Sequence, residues 1–150
     1  MIQRRNELAY WAGILDGEGC VTLNVKTRSS RRGQTISPRI DIGNTYEPLM
    51  NKLARFLRER YGCAALNRQT YTVGPVRKPI YRVTISGEKA VAFLEDLLPY
   101  LIVKRKQALI IIDFAQNAPR FCRTGFTLAE TKIRTSFVNR IRTLNRKGRL

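Results

Sequence analysis

The chain has 150 residues, with 28 Lys and Arg against 11 Asp and Glu, a net charge of +17 and no histidine. A chain of this length buries roughly two thirds of its unfolded surface without disulfides; lacking histidine, it excludes His-metal sites, Ser-His-Asp and Cys-His hydrolysis and His-dependent nuclease chemistry. Its hydrophobic content of 43% suffices for a core, so the positive field points to a polyanionic partner. Nucleic acid is favoured over an anionic membrane because the basic residues are spread over many segments.

The three cysteines, Cys20, Cys63 and Cys122, are odd in number and widely spaced, with no C-x-x-C pair. That fits idle thiols in a reducing, intracellular compartment and not a zinc site. No secretory signal is expected, and the apolar run Leu109 to Ile112 is too short to span a membrane.

In chain order, Asn6 is suited to cap a first helix from about Glu7 to Asp16. Leu8, Trp11 and Leu15 recur at i, i+3, i+7 and form an apolar stripe for the chain's own core. Ala9, Ala12, Gly13 and Asp16 recur on another side, and three of these four are small. Small side chains let a second backbone come close, so this stripe predicts pairing with another helix. Gly13 costs roughly 1 kcal/mol against alanine, which close packing would offset. The helix ends on Asp16-Gly17-Glu18-Gly19, placing two carboxylates at its negative pole. If two such ends meet, they need a compensating cation or raised pKa values. A divalent metal held by carboxylate and carbonyl oxygens is the simplest resolution. A core helix closed by a glycine cap is the plainer account of the same residues.

After Gly19 the period becomes two. Thr22, Asn24, Lys26 and Arg28 fall on one side of a strand, opposite Val21, Leu23 and Val25. Arg28 to Gln34 reads as an exposed basic hairpin loop that includes Arg31 and Arg32. A second strand, about Thr35 to Ile42, sets Ser37, Arg39 and Asp41 against Ile36, Ile40 and Ile42, and Pro38 suggests some irregularity or an edge position. Asn44-Thr45 caps a helix opening near Pro48 and stopped by Gly62, with Leu49, Leu53, Phe56 and Leu57 inward. A third strand, about Cys63 to Val73, carries Asn67, Gln69 and Tyr71 on one side. After the turn Gly74-Pro75, a fourth, about Lys78 to Ile85, sets Arg82 and Thr84 against Tyr81, Val83 and Ile85. Ser86 caps a short helix ending at Pro99, and Leu101 to Asn117 is helical, with Lys104, Arg105 and Lys106 near its start. Thr127-x-x-Glu130 is a capping box opening a last helix with Ile133, Phe137, Ile141 and Leu144 on one face. From Arg120 onward nine basic residues face one acidic residue, so this helix is strongly positive.

The four strands predict one antiparallel sheet, packed on helices by one face. The open face collects Thr22, Asn24, Lys26, Arg28, Ser37, Arg39, Asp41, Asn67, Gln69, Tyr71, Lys78, Arg82 and Thr84. Amides and guanidinium groups read base edges in pairs of hydrogen bonds. A merely solvated sheet face also alternates polar and apolar residues, but Asp41 is the single acid among these.

Trp11 to Glu18, closed by Gly19, resembles the motif of LAGLIDADG homing endonucleases; Ala12, Gly13, Asp16 and Gly19 match outright. The element order over about residues 6 to 117 resembles the same family. The resemblance implies an α+β fold, α-β-β-α-β-β-α, with a saddle-shaped four-stranded antiparallel sheet lying in the DNA major groove. The whole chain then reads as one domain, with a helical C-terminal extension over about 120–150. One motif per chain implies a homodimer, pairing through Ala9, Ala12, Gly13 and Asp16 over a near-palindromic double-stranded target. By resemblance, Glu18 binds a divalent metal, Mg2+ expected, with the Gly17 carbonyl. Leu98 to Ala108 is similar to the family's stretch bearing an active-site lysine, which maps to Lys104. Asn44 maps to a solvent-orienting residue, although a helix cap explains it equally. Asp16 is expected to tie the paired helices through backbone donors rather than to bind metal. The family's further basic residue has no counterpart at Tyr46-Glu47-Pro48. The implied activity is a staggered double-strand break initiating intron mobility. The alternative is a non-cleaving binder on the same scaffold, an intron-RNA splicing maturase or a DNA-binding regulator.

Overall fold

The computed structural model describes residues 2–27, 34–63, 65–69, 79–120 and 125–147. Its elements run α1 (Ile2–Glu18), β1 (Gly19–Thr27), β2 (Gln34–Asn44), α2 (Glu47–Tyr61), β3 (Ala65–Gln69), β4 (Ile80–Ser86), α3 (Glu88–Leu97), α4 (Arg105–Asn117) and α5 (Leu128–Lys147). The strands form one antiparallel sheet in the order β1-β2-β4-β3. This is the α+β architecture expected. Arg28, Arg31, Arg32, Tyr71, Lys78, Cys122 and the Gly74-Pro75 turn lie outside the described residues.

The alternation read from the sequence sorts the sheet's two faces. Val21, Leu23, Ile36, Ile40, Ile42, Tyr81, Val83 and Ile85 are buried against the helices. With Trp11, Leu15, Leu53, Leu57, Phe93, Leu94 and Ile111 they form one continuous core. Pro38 sits in the middle of β2, an inner strand and not the edge expected, without disrupting it. Its carbonyl accepts from Gly87 N–H (2.9 Å), on the side where β4 has just ended at the Arg39–Ser86 pair. Its missing N–H therefore falls past the ladder, the position a proline tolerates.

The first helix begins at Ile2, not at Glu7, and Asn6 is an exposed interior residue, not a cap. Gln3, Arg4 and Arg5 are good helix formers, and nothing before Asn6 stops the turn. The helix runs straight into β1 without a loop. Neither Gly17 nor Gly19 has a positive φ, so no glycine cap closes it. Gly19 is required for space. A Cβ there would collide with Leu15 Cδ1 and stand 2.7 Å from the Leu15 carbonyl oxygen.

Gly62 ends α2 as expected, with φ 71° and its N–H on the Arg58 carbonyl. The start of α2 differs slightly. Tyr46 occupies the N-cap position, and Asn44 Oδ1 instead accepts from Tyr46 N–H at 2.8 Å, closing the turn before the helix. Gly87, at φ 68°, precedes α3 where Ser86 was expected, because Ser86 is still paired in β4. Helix α4 opens at Arg105, later than the apolar Leu101-Ile102-Val103 predicts. Those residues are held outside it by contacts described below.

The capping box on α5 forms in both directions: Thr127 N–H to Glu130 Oε2 (2.7 Å) and Glu130 N–H to Thr127 Oγ1 (3.2 Å). Phe137, Val138 and Ile141 join the core, whereas Ile133 is 46% exposed. The inward position near it belongs to Arg134. This guanidinium donates to the Pro119 and Ile36 carbonyls and stacks over Phe114 and Phe126. One of the expected surface cations is thus a buried structural group. Burial lowers its pKa from the ordinary guanidinium value. Asn145 Nδ2 also reaches the Val21 carbonyl (3.2 Å), so α5 covers the outer edge of β1.

Candidate active site and nucleic-acid interface

The α1 tip gathers residues 86 to 88 positions apart in the chain. Asp16 stands at the helix's negative end, where a carboxylate is disfavoured. Three backbone N–H groups offset this: Ile102 (2.8 Å) and Val103 (3.2 Å) donate to Oδ2, and Lys104 (2.8 Å) to Oδ1. The same contact sets the carboxylate at the positive end of α4 and turns residues 102–104 out of that helix. Asp16 therefore ties α1 to its own chain's loop. This corrects the expectation that its donors come from a paired helix.

Lys104 folds back onto the same point. Its ammonium donates to the Asp16 carbonyl oxygen at 2.6 Å. The site thus joins the motif to the lysine singled out from the sequence. One ammonium hydrogen is used and two remain for an anion or water. Glu18 follows two residues later, exposed and without a hydrogen-bond or ion-pair partner among the described residues. Gly17 is exposed beside it, at a helix end whose last carbonyls lack intrahelical partners. A free carboxylate and free carbonyls are hard oxygen donors, the type that divalent Mg2+ or Ca2+ prefers. Their number is small: among the described residues no cluster of three or more His, Cys, Asp or Glu could hold a metal. The donor type fits a divalent cation, but Glu18 and the Gly17 carbonyl alone do not complete a coordination shell.

The small-residue stripe is redrawn by the structure. Ala12 has no exposed surface and belongs to the core with Trp11 and Leu15. Helical spacing alone does not show how far the core wraps around α1. The exposed stripe is Asn6, Ala9, Tyr10, Gly13 and Gly17. A Cβ at Gly13 or Gly17 would meet nothing within 4 Å. Within the protomer, then, neither glycine is needed for space.

On the open sheet face the register assembles rows across the strands. Thr22 stands opposite Arg39, Asn24 opposite Ser37 and Lys26 opposite Thr35. Asp41 pairs with Thr84 and Gly43 with Arg82, and β3 adds Asn67 beside Arg82 and Gln69 beside Ile80. Thr22, Asn24, Ser37, Arg39, Asp41, Gln69, Arg82 and Thr84 are half-buried; Lys26 and Asn67 are exposed. The described members of the expected set therefore share one face. Register adds Cys20 and Thr35, which a partner-blind reading of single strands passed over.

One cluster on this face is bonded internally. Arg39 Nε and Nη2 donate to the two oxygens of Asp41 at 2.7 and 3.0 Å, and Thr84 Oγ1 donates to Asp41 Oδ1 at 2.6 Å. Burial alone would raise the Asp41 pKa, but the bonds from Arg39 and Thr84 hold it below the usual carboxylate range. The Asp41 hydrogen bond likewise raises the Arg39 pKa. Asn44, at the end of β2, has its Oδ1 committed to Tyr46 N–H. The nearby Glu47 carboxylate accepts from Tyr81 Oη at 2.9 Å.

Among the described residues no helix is long and apolar enough to cross a membrane, and Cys20 and Cys63 are free thiols. No curated protein sequence matches the chain. Its structure is similar to the homing endonuclease I-CvuI in complex with the I-CreI target, in the presence of Mg, with TM-score 0.75 and 18% identity over 96% of this chain and 85% of that one. It is similar to the archaeal intron-encoded homing endonuclease I-Vdi141I complexed with DNA, with TM-score 0.68 and 15% identity over 93% and 84%. Meganuclease I-SmaMI bound to uncleavable DNA gives TM-score 0.61 and 17% identity, over 91% of this chain but 42% of that one. These likenesses establish a common fold. A family model described as a LAGLIDADG-like domain matches residues 5–97, the span from the motif helix through α3. With its single motif running along α1 into the first strand, the chain belongs to the LAGLIDADG family.

Proposed function

We propose that the chain is a homodimeric DNA endonuclease that makes a metal-dependent staggered double-strand break at a long, near-palindromic site. The observation that carries this reading is the junction of Lys104 with the α1 tip, Nζ to the Asp16 carbonyl at 2.6 Å, beside an unpartnered Glu18. The basic open face begins where α1 ends, so a duplex docked on the sheet brings its backbone to that tip.

Each residue has a distinct task. The Asp16 carboxylate fixes the backbone of residues 102–104 and so sets the position of Lys104. Lys104 holds two N–H donors toward the negative charge that builds on the phosphate. Glu18 and the Gly17 carbonyl would hold a divalent cation, Mg2+ expected, which would supply Lewis-acid charge and activate a water. Asn44 orients solvent at the edge of this site, using the amide nitrogen that the Tyr46 turn leaves available. The second protomer approaches on the stripe of Ala9, Gly13 and Gly17, where no side chain keeps a partner backbone away. This chain spans 42% of I-SmaMI, the share expected if two copies did the work of one longer chain.

A non-cleaving binder, a maturase acting on intron RNA or a regulator, is favoured by one observation. Tyr46-Glu47-Pro48 supplies no basic residue beside Asn44, and Glu47 is engaged with Tyr81. The test is nicking of a supercoiled plasmid carrying a site selected by the protein, with Mg2+, by wild type and by Glu18→Gln. Conversion to linear DNA by wild type, lost in the variant, is expected. Tight binding of an uncut plasmid by wild type contradicts the nuclease reading.

A further inference from the structure

Among the described residues of the open face, Arg39 has its guanidinium bonded to a neighbouring carboxylate. The geometry of that bond leaves a particular part of the arginine free. A guanidinium carries five N–H donors in a fixed plane. Asp41 occupies the lateral edge, Nε and Nη2, at 2.7 and 3.0 Å. The terminal edge, formed by Nη1 and the second hydrogen of Nη2, remains available. Two parallel donors on that edge match the O6 and N7 acceptors of guanine in the major groove.

Asp41 is itself held from the next strand by Thr84 Oγ1 at 2.6 Å, so the fork is braced across β2 and β4. The Arg39 side chain is 35% exposed and that of Asp41 20%, so the arginine is the more accessible of the two. A carboxylate on a face that meets phosphates costs affinity, so its presence calls for a role other than charge. An arginine free to swing binds phosphates of any sequence, whereas a fixed fork discriminates bases.

We propose that Asp41, braced by Thr84, is a positioning residue that fixes Arg39 as a guanine-reading fork at one position of each half-site. This rests on the reading of the open sheet as a DNA-docking surface. Loss of Asp41 then turns a base reader into a phosphate binder. Discrimination falls at one position while attachment to arbitrary duplex stays equal or tightens.

Selection from a randomised duplex pool, with full-length wild type, Arg39→Ala, Asp41→Asn and Thr84→Val, reads base preference position by position. Wild type is expected to enrich guanine at one symmetry-related pair of positions, and Arg39→Ala to lose that preference. Asp41→Asn, close in shape, is expected to weaken it about tenfold while other positions keep theirs. Thr84→Val should weaken it severalfold. If Asp41→Asn does not melt as a folded protein, Thr84→Val decides by the same criterion. Guanine preference unchanged in the folded variants, or preferences falling together at all positions, overturns the inference and leaves DNA docking standing. A wild type that enriches no duplex overturns the docking reading itself.

Discussion

The tip of α1 and the open face of the sheet are both polar surfaces, built in opposite ways. At the tip the hydrogen-bonding groups are spent within the chain: Asp16 holds three backbone donors and its carbonyl holds Lys104, leaving Glu18 free. On the face, Thr22, Asn24, Lys26, Ser37, Asn67 and Gln69 have no side-chain partner among the described residues, and Arg82 makes no hydrogen bond there, only a charge interaction with Asp41. Their bonds are left for whatever docks there. Chemistry needs fixed groups; on the face only the Arg39-Asp41-Thr84 cluster is fixed in advance, and the other groups find their partners in what docks there. Substitution at the tip should therefore change rate, and substitution on the face should change which sequence is preferred.

The largest contrast is expected at Glu18 and Lys104. Glu18→Gln should lower cleavage by at least about a hundredfold to a thousandfold, and its exposed, unpartnered side chain should leave stability within about 0.5 kcal/mol. Lys104→Met should lower cleavage by about a hundredfold, with cleavage kinetics and denaturant melts read on the same preparations. A Glu18→Gln protein that cuts normally would place the chemistry elsewhere.

Asp16→Ala tests how rigid the tip is. Removing the acceptor of three N–H groups should cost about 1–3 kcal/mol in urea unfolding, since water reaches part of the vacated site. Cleavage should fall as well, because Lys104 loses its anchor. Unchanged stability would mean that residues 102–104 hold their shape without Asp16.

Gly13→Leu separates folding from assembly. A Cβ at position 13 meets nothing within 4 Å in the chain, and helix propensity should make the monomer equal or up to about 1 kcal/mol more stable. Sedimentation should nevertheless show loss of the dimer. A dimer that survives with wild-type affinity would move the interface off α1.

A smaller effect comes from acid. Away from both regions, Arg60 and Tyr61 on α2 donate to Asp96 on α3 at 2.7 to 3.0 Å. Burial opposes ionisation of Asp96, but the bonds from Tyr61 and Arg60 outweigh it and depress its pKa. Its folded pKa lies below its unfolded one, so its stabilising contribution is present above the unfolded carboxylate range and disappears as pH falls through the folded value. Melts of wild type and Asp96→Asn should converge in strong acid and separate toward neutrality. Parallel curves would remove Asp96 from the pH dependence.

What could be read from the sequence was local. Alternation in β1, β2 and β4, the glycine after α2 and the Thr127-Glu130 box depend on residues within a few positions, and each stands where its pattern predicts. What escaped depends on distant partners. Backbone donors are expected for Asp16, but from a paired helix, because the N–H groups that satisfy it in the fold are 86 or more residues away in the chain. Leu101-Ile102-Val103 looked helical because apolar composition cannot show a backbone being pulled onto a carboxylate. Ala12 shares a helical side with Gly13 but has no exposed surface. Arg134 was counted with the surface cations, although two carbonyls and two rings receive it inside.

The most direct test of the central claim uses a mixed dimer, one wild-type chain and one Glu18→Gln chain, purified through different tags and given a plasmid with the selected site and Mg2+. If each chain carries one complete tip and the pair acts together, the mixed dimer cuts one strand and nicked circles accumulate without linear DNA. Full linearisation by the mixed dimer, or intact plasmid with the wild-type pair, would contradict the account.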